Sequence, residues 1–120
     1  MEFDSNLINS KFKYNIFNSD IKEVSEVNKT LYIIPREQRK CSEKMTQYEF
    51  TEILSQRAKQ IQDGGFIFAE NINNLHDPIE IAKQELREKK CPLSIRRIYS
   101  NNLYAEIWEA NEMIIPYLDL

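Results

Sequence analysis

Histidine and cysteine are nearly absent from this chain. One histidine (His76) and two cysteines (Cys41 and Cys91) stand among its 120 residues. A zinc site takes about four ligands, which that supply does not reach. The two cysteines are far apart and neither has a Cys or His neighbour. A chain this short held by disulfides carries more of them, so the usage fits a reducing compartment. Basic charge is not in excess either. The formal net charge is −3, which gives no footprint for nucleic-acid binding by the isolated chain. No apolar run exceeds a handful of residues, which excludes a transmembrane helix. Met1 to Ser10 carries two acidic residues and no apolar run, so neither a secretory signal nor a transit peptide is expected there. The Asn28-Lys29-Thr30 glycosylation pattern then has little weight. Closely spaced carboxylates, which two-metal phosphoryl chemistry requires, are approached at Asp77 and Glu80. Both are explained below as helix-start residues.

What is present is ordinary for a soluble protein: 42% hydrophobic and 29% charged residues, in a length that permits one domain at most. The chain divides near Lys44 into a tail, 1–44, and an organised part, 45–120. Met1 to Lys40 carries a net +1 and the remainder −4. The first part is rich in Asn, Ser and Lys with scattered Phe3, Phe12, Tyr14 and Phe17, and no helical or strand period runs through it. It reads as a disordered tail, or as one that orders on a partner through those aromatics. Leu31-Tyr32-Ile33-Ile34-Pro35 is the exception, a short apolar run closed by proline that suits an edge strand added to something else.

The second part is patterned. Thr46 is a helix N-cap and Glu49, three residues on, completes a capping box. Met45 and Phe50 are placed to form the accompanying hydrophobic staple. Phe50, Ile53, Leu54, Ala58 and Ile61 make one helix face. The helix is expected to stop at Asp63-Gly64-Gly65, the chain's only glycines, where a left-handed exit is needed. Phe66-Ile67-Phe68 reads as a short extended segment, and Asn71 to His76 as a polar loop. Asp77 caps a second helix with Pro78 at its first position, and Glu80 suggests another box. Ile79, Ala82 and Leu86 line its face, with Ile81 beside them. Lys83, Arg87, Lys89 and Lys90 suit its C-terminal dipole, and Cys91-Pro92 ends it.

Leu93 to Tyr99 reads as a strand with Leu93, Ile95, Arg97 and Tyr99 on one face. Ser100-Asn101-Asn102 supplies a turn, and Leu103 to Trp108 returns as the second strand of a hairpin. Tyr104, Glu106 and Trp108 share a face, which favours core packing over base stacking for the two aromatics. Met113 to Leu120 is apolar for an exposed terminus and is expected to be tied down. The fold class is therefore α+β, two helices plus a C-terminal hairpin behind a largely irregular tail. An ordered part of roughly 65–70 residues buries little apolar area without staples. Strong helix starts over a thin core are expected when the remaining apolar contact lies on another chain.

These residues resemble the omega-type small subunit of multisubunit RNA polymerases, closest to the form shared by nuclear enzymes, archaea and large DNA viruses. Met45-Thr46-x-Tyr48-Glu49 resembles the opening of that family's first helix. Arg57-Ala58-Lys59-Gln60-Ile61 is similar to a run shared even with bacterial omega. Asp77-Pro78 with Ile81-Ala82 and Glu85-Leu86 looks like the second helix. Pro92 with Ile95-Arg96-Arg97, then Glu106-x-Trp108, look like the two hairpin strands. The likeness covers Met45 to Ile114. The chain departs from the family in its lead-in, Arg39 to Lys44, in its Ser-Asn-Asn turn, and in a tail that is near neutral rather than acidic. Those departures point to a viral or divergent lineage.

The resemblance implies no catalysis, no cofactor and no metal. It implies binding to the largest polymerase subunit and a part in assembly and stability, with DNA and RNA touched only through the complex. No membrane or small-molecule substrate is implied. The setting is the nucleus, or a cytoplasmic viral factory and virion. The implied interface comprises Tyr48, Arg57, Ala58, Gln60 and Ile61, then Pro78, Ala82, Glu85 and Leu86, then Ile95, Arg96 and Arg97. Arg57 lies mid-helix among apolar neighbours, so a charge-assisted bond to a partner's carboxylate or carbonyl is expected. The alternative is a solvated arginine whose stem covers the core edge. Arg96 and Arg97 point to opposite sheet faces, and an ion pair within the complex is favoured over a phosphate contact. The competing function is a free-standing transcription regulator that binds nucleic acid through the Lys83–Lys90 patch and the Arg96-Arg97 hairpin.

Overall fold

A computed structural model of the chain describes residues 13–19, 32–73, 75–99 and 103–118. It contains helices α1 (Gln47–Gln62) and α2 (Pro78–Arg87) and strands β1 (Lys13–Asn18), β2 (Tyr32–Ile33), β3 (Leu93–Ile98) and β4 (Tyr104–Glu109). Short 3₁₀ turns follow at Arg36–Gln38 and Ala110–Glu112. The α+β class stands.

Helix α1 begins where its cap chemistry places it. Thr46 Oγ1 accepts from the Glu49 amide at 3.1 Å, and Glu49 Oε1 accepts from the Thr46 amide at 3.0 Å. Met45 and Phe50 both enter the core, at 1% and 9% exposure. The helix ends in a Schellman motif. The Gly65 amide donates to Gln60 O at 2.8 Å and the Gly64 amide to Ile61 O at 3.1 Å. Gly64 takes φ +95°, which L side chains disfavour. Gly65 is required for a different reason, because a Cβ there would stand 2.8 Å from the Gln60 carbonyl oxygen.

Helix α2 opens with Asp77 Oδ1 accepting from the Ile79 amide at 3.0 Å and Pro78 in the first turn. The box expected from Glu80 is replaced by another contact, since its carboxylate lies 3.7 Å from Lys83 Nζ. The buried face also differs from expectation. It is Ile81, Ala82, Glu85 and Leu86, while Ile79 is 45% exposed. The helix is rotated so that Glu85, not Ile79, faces α1. A second Schellman motif closes it, from Lys90 to Glu85 O at 2.9 Å and from Lys89 to Leu86 O at 3.2 Å. Here the left-handed position, φ 58°, is filled by Lys89.

The described sheet has four strands in the order β1-β3-β4-β2, not the two of the expected hairpin. β3 and β4 pair antiparallel, with Ile95 opposite Trp108 and Arg97 opposite Glu106. β1 adds antiparallel to β3, with Tyr14 opposite Arg97 and Ile16 opposite Ile95. β2 adds parallel to β4. Both outer strands come from the stretch expected to be tail, so packing begins well before Lys44. Tyr14 and Ile16 alternate inward onto the core, and the complementary β3 edge supplies the ladder that low-propensity Asn15 and Asn18 do not favour on their own. The Tyr32–Ile33 run is an edge strand as its sequence suggests, but on this chain's own sheet. The Ser100-Asn101-Asn102 turn lies outside the described residues.

The core joins the α1 face to the inner face of β3 and β4. Met45, Phe50, Ile53, Leu86, Leu93, Ile95, Trp108 and Met113 belong to it, along with Cys91 and Ala110. The C-terminal segment is tied down. The Met45 amide donates to Ile114 O at 2.8 Å, the Ile114 amide to Glu43 O at 2.9 Å, and Tyr117 packs against Phe50 with centroids 5.7 Å apart.

Two substitutions separate these backbone effects. Lys89→Gly is expected to stabilise the chain by up to about 1 kcal/mol, the left-handed cost at Lys89 less the added freedom of the unfolded glycine. Gly65→Ala is expected to destabilise it by about 1–3 kcal/mol through the clash with Gln60. Urea unfolding of the two variants measures both signs.

Candidate interaction site

Among the described residues, three carboxylates have no exposed surface: Glu49, Glu85 and Glu106. Each holds two parts of the chain together. The Arg57 fork grips Glu85, from Nε to Oε1 at 2.5 Å and from Nη2 to Oε2 at 2.9 Å. This joins α1 to α2. The carboxylate expected on a partner is therefore supplied from within, and Arg57 is only 3% exposed. Its remaining donors reach Gln60 Oε1 at 2.9 Å and Phe66 O at 2.6 Å. Glu85 Oε2 also accepts from the Phe68 amide at 2.8 Å. Thus the segment Phe66-Ile67-Phe68, expected to be extended, belongs to no strand and is pinned by the ion pair.

Arg97 plays the matching part between β3 and α1. Its Nε and Nη2 donate to Glu49 at 2.8 and 2.7 Å, and further bonds reach Ser42 O at 2.6 Å and Lys44 O at 3.0 Å. The capping-box glutamate therefore has a second duty that its spacing did not reveal. Arg96 points to the other sheet face as expected and donates to Asn15 Oδ1 at 2.7 Å.

Glu106 is surrounded by neutral donors. Tyr99 Oη lies at 2.6 Å, the Lys40 amide at 2.8 Å, Trp108 Nε1 at 2.9 Å and the Cys41 amide at 3.2 Å. Burial alone would raise its pKa, but the bonds from Tyr99, the Lys40 amide, Trp108 and Cys41 outweigh that and hold it below the ordinary 4.5. The same residues are shifted in return. Burial, then the charge of Glu106, push the Cys41 thiol up to about 12. Burial and the bond to Glu106 raise Tyr99. Glu112 anchors the lead-in further. It accepts from Arg39 at 3.1 and 3.2 Å and from Arg36 at 2.8 Å; burial would raise its pKa, but the bonds from Arg39 and the Glu109 amide, with the charges of Arg39 and Arg36, outweigh that and depress it. Arg39 also donates to Ile107 O at 3.0 Å and lies 3.6 Å over the Trp108 ring. Glu88 is lowered to about 2, first by the Glu70 amide and then by Gln84 and the Asn71 amide. None of Arg39, Glu88, Glu106 or Glu112 was singled out as an anchor from sequence.

The implied interface residues thus fall into two groups. Arg57, Ala58, Ala82, Glu85, Leu86, Ile95, Arg96 and Arg97 are all buried in this chain's own interior, none more than 8% exposed. Within this chain they pack against its own interior. Tyr48 is 67% exposed, while Gln60, Ile61 and Pro78 are half-buried. Trp108 is in the core as expected, at 6% exposure. Tyr104 is not, at 37%. It meets Tyr32 edge-on at 5.7 Å beside a cavity of about 500 Å³. The basic patch is engaged by carboxylates and a carbonyl: Lys90 with Glu70 at 2.7 Å, Lys83 with Glu80, and Arg87 with Leu118 O at 3.3 Å.

No family model matches the chain. Curated relatives do. It is 43% identical over 82 residues to the RPABC2 subunit of DNA-directed RNA polymerases I, II and III of Dictyostelium discoideum, covering 68% of this chain and 60% of that one. The RPABC2 subunit of Saccharomyces cerevisiae is 40% identical over 82 residues, 68% of this chain and 52% of that one. The DNA-directed RNA polymerase subunit 6 homolog of African swine fever virus is 36% identical over 100 residues, 80% of this chain and 67% of that one.

The chain belongs to the RNA polymerase subunit 6 family. It spans 60% and 52% of the length of the first two relatives. Membership agrees with the omega-type resemblance, and the subunit 6 relatives come from both cellular and viral polymerases.

Two expectations follow. Arg57→Ala strands a buried carboxylate and is expected to cost about 3–5 kcal/mol, whereas the double change Arg57→Met with Glu85→Leu recovers most of it. Denaturant titration of both variants checks this. The pH profile should have two limbs. Glu106 and Glu112 are depressed, so their contribution is present above the unfolded 4.5 and is lost as pH falls through their folded values. Cys41 and Tyr99 are raised, so theirs is complete below the unfolded 9.0 and 10.0 and is lost as pH rises through their folded values. Melting followed by circular dichroism across pH should show a plateau between those limits, and a melting temperature that climbs below pH 4.5 contradicts it.

Proposed function

We propose that this chain is a non-catalytic subunit of a multisubunit DNA-directed RNA polymerase, binding the largest subunit and promoting assembly and stability of the enzyme. The observation that carries the reading is its membership of the subunit 6 family, at 36–43% identity to polymerase subunits. Its chemistry is consistent with that role. The three fully buried carboxylates are committed to holding the fold together. The accessible members of the implied interface, Tyr48, Gln60, Ile61 and Pro78, carry the contact. The buried members fix the surface on which these sit. The domain of 45–120 is the part that docks, and the strands from 1–44 complete its sheet. Its site of action follows the polymerase it joins, in the nucleus or in a viral factory and virion.

Nucleic-acid binding by the isolated chain has less support. Arg97 is 1% exposed, and the basic end of α2 meets carboxylates of its own chain.

Binding that favours the folded chain stabilises it by mass action, about 2.7 kcal/mol at a hundredfold excess over Kd. For a domain of this size that is a rise in Tm of about 10 °C. The expected result is such a rise when the largest subunit's fragment is added at that excess. An unchanged Tm, together with the chain's absence from polymerase purified through its largest subunit, overturns the reading.

A further inference from the structure

Phe66 and Phe68 are 73% and 44% exposed, with ring centroids 5.0 Å apart. Large aromatics on a loop are ordinarily turned inward. Here the backbone is held in the opposite sense. Arg57 Nη2 donates to Phe66 O at 2.6 Å, and the Phe68 amide donates to Glu85 Oε2 at 2.8 Å. Both bonds are charge-assisted and come from a buried ion pair, so they are among the strongest that a loop can have. Gly65 adds a third restraint through its close approach to Gln60. The rings are therefore presented in a fixed arrangement, which lowers the ordering cost of binding.

We propose that Phe66 and Phe68 form the aromatic anchor by which this chain seats in an uncharged, apolar cleft on the polymerase body. The inference rests on the polymerase-subunit reading and names the contact within it. Charge argues for the character of the cleft. The charged groups beside the loop are engaged within the chain: Lys59 with Asp63 at 3.3 Å, Lys90 with Glu70 at 2.7 Å and with Glu88 at 3.9 Å, and Glu88 with the Glu70 and Asn71 amides. A surface complementary to this rim needs no counter-charge. Area argues against a second copy of this chain as the occupant. Two phenylalanines at these exposures offer roughly 200 Å². Twice that, about 400 Å², falls far short of the ~1,200 Å² at which stable interfaces begin. The pair is instead the size of a hot spot at the centre of a larger interface.

The test is retention of the full-length tagged chain on polymerase purified through its largest subunit, at low and high salt. The double variant Phe66→Ser, Phe68→Ser should be retained at least tenfold less than wild type at both salt concentrations. Its melting temperature should fall by only a few degrees, because Phe66 is mostly exposed and Phe68 gives up little more than its place 5.6 Å from the Arg57 guanidinium. Tyr32→Ser, which removes an exposed aromatic outside the proposed interface, should lose much less. Retention of the double variant equal to wild type overturns the anchor and leaves the subunit reading in place. So does a loss no larger than that of Tyr32→Ser, or a loss present only at low salt. Concentration-dependent dimerisation that the double variant abolishes assigns the patch to a second copy and also overturns the proposal. Failure of wild type itself to be retained overturns the subunit reading, and the anchor with it.

Discussion

Helix α1 is clamped on two sides by buried arginine–glutamate forks. Arg57 holds it to α2 through Glu85, and Glu49 holds it to the sheet through Arg97. The hydrophobic cluster between them is small, and its side chains would tolerate several helix orientations. The forks would not, because each has a planar, two-bond geometry. Buried ion pairs add little net stability, since desolvation offsets most of their attraction. What they supply here is position: the rotation of α2, the register of α1 over β3, and the path of the loop after Gly65.

That constraint explains which parts of the molecule were legible in its sequence. Cap residues and turn residues act within a few positions of themselves. Thr46, Asp77 and the Gly64-Gly65 exit therefore declare themselves through spacing. Arg57 and Glu85 are 28 positions apart and sit on different helices. Nothing in either helix's period says that they meet. The same holds for Arg97 and Glu49, whose capping role already accounted for the glutamate. The place of Arg57 among apolar neighbours suggests a bond to a carboxylate or carbonyl on another chain, or a solvated head group. Within this chain the carboxylate that Arg57 meets lies on the neighbouring helix.

Strand β1 was missed for a related reason. Its Lys-Tyr-Asn-Ile-Phe-Asn sequence does alternate, but two asparagines lower its intrinsic preference for strand. It becomes a strand because β3 offers an edge in register. The lead-in after β2 is a different kind of attachment. Its backbone and arginines are gripped by the side chains of Glu106 and Glu112, with Cys41 as its one buried apolar residue between Tyr32 and Lys44. Sequence-level reasoning follows apolar periodicity, and this segment is fastened by polar bonds instead.

The strand order has a consequence for synthesis. β1 pairs with β3, and β2 with β4, so each early strand waits for a partner more than seventy positions later in the chain. At a translation rate of 5–20 residues per second, β1 leaves the ribosome roughly 4–15 s before β3 does. During that interval the nascent N-terminal segment has no sheet to join. The two helices, whose caps and mutual ion pair are local by comparison, emerge before β3 and have each other to pack against first. The sheet is completed only when β3 and β4 arrive to receive β1 and β2.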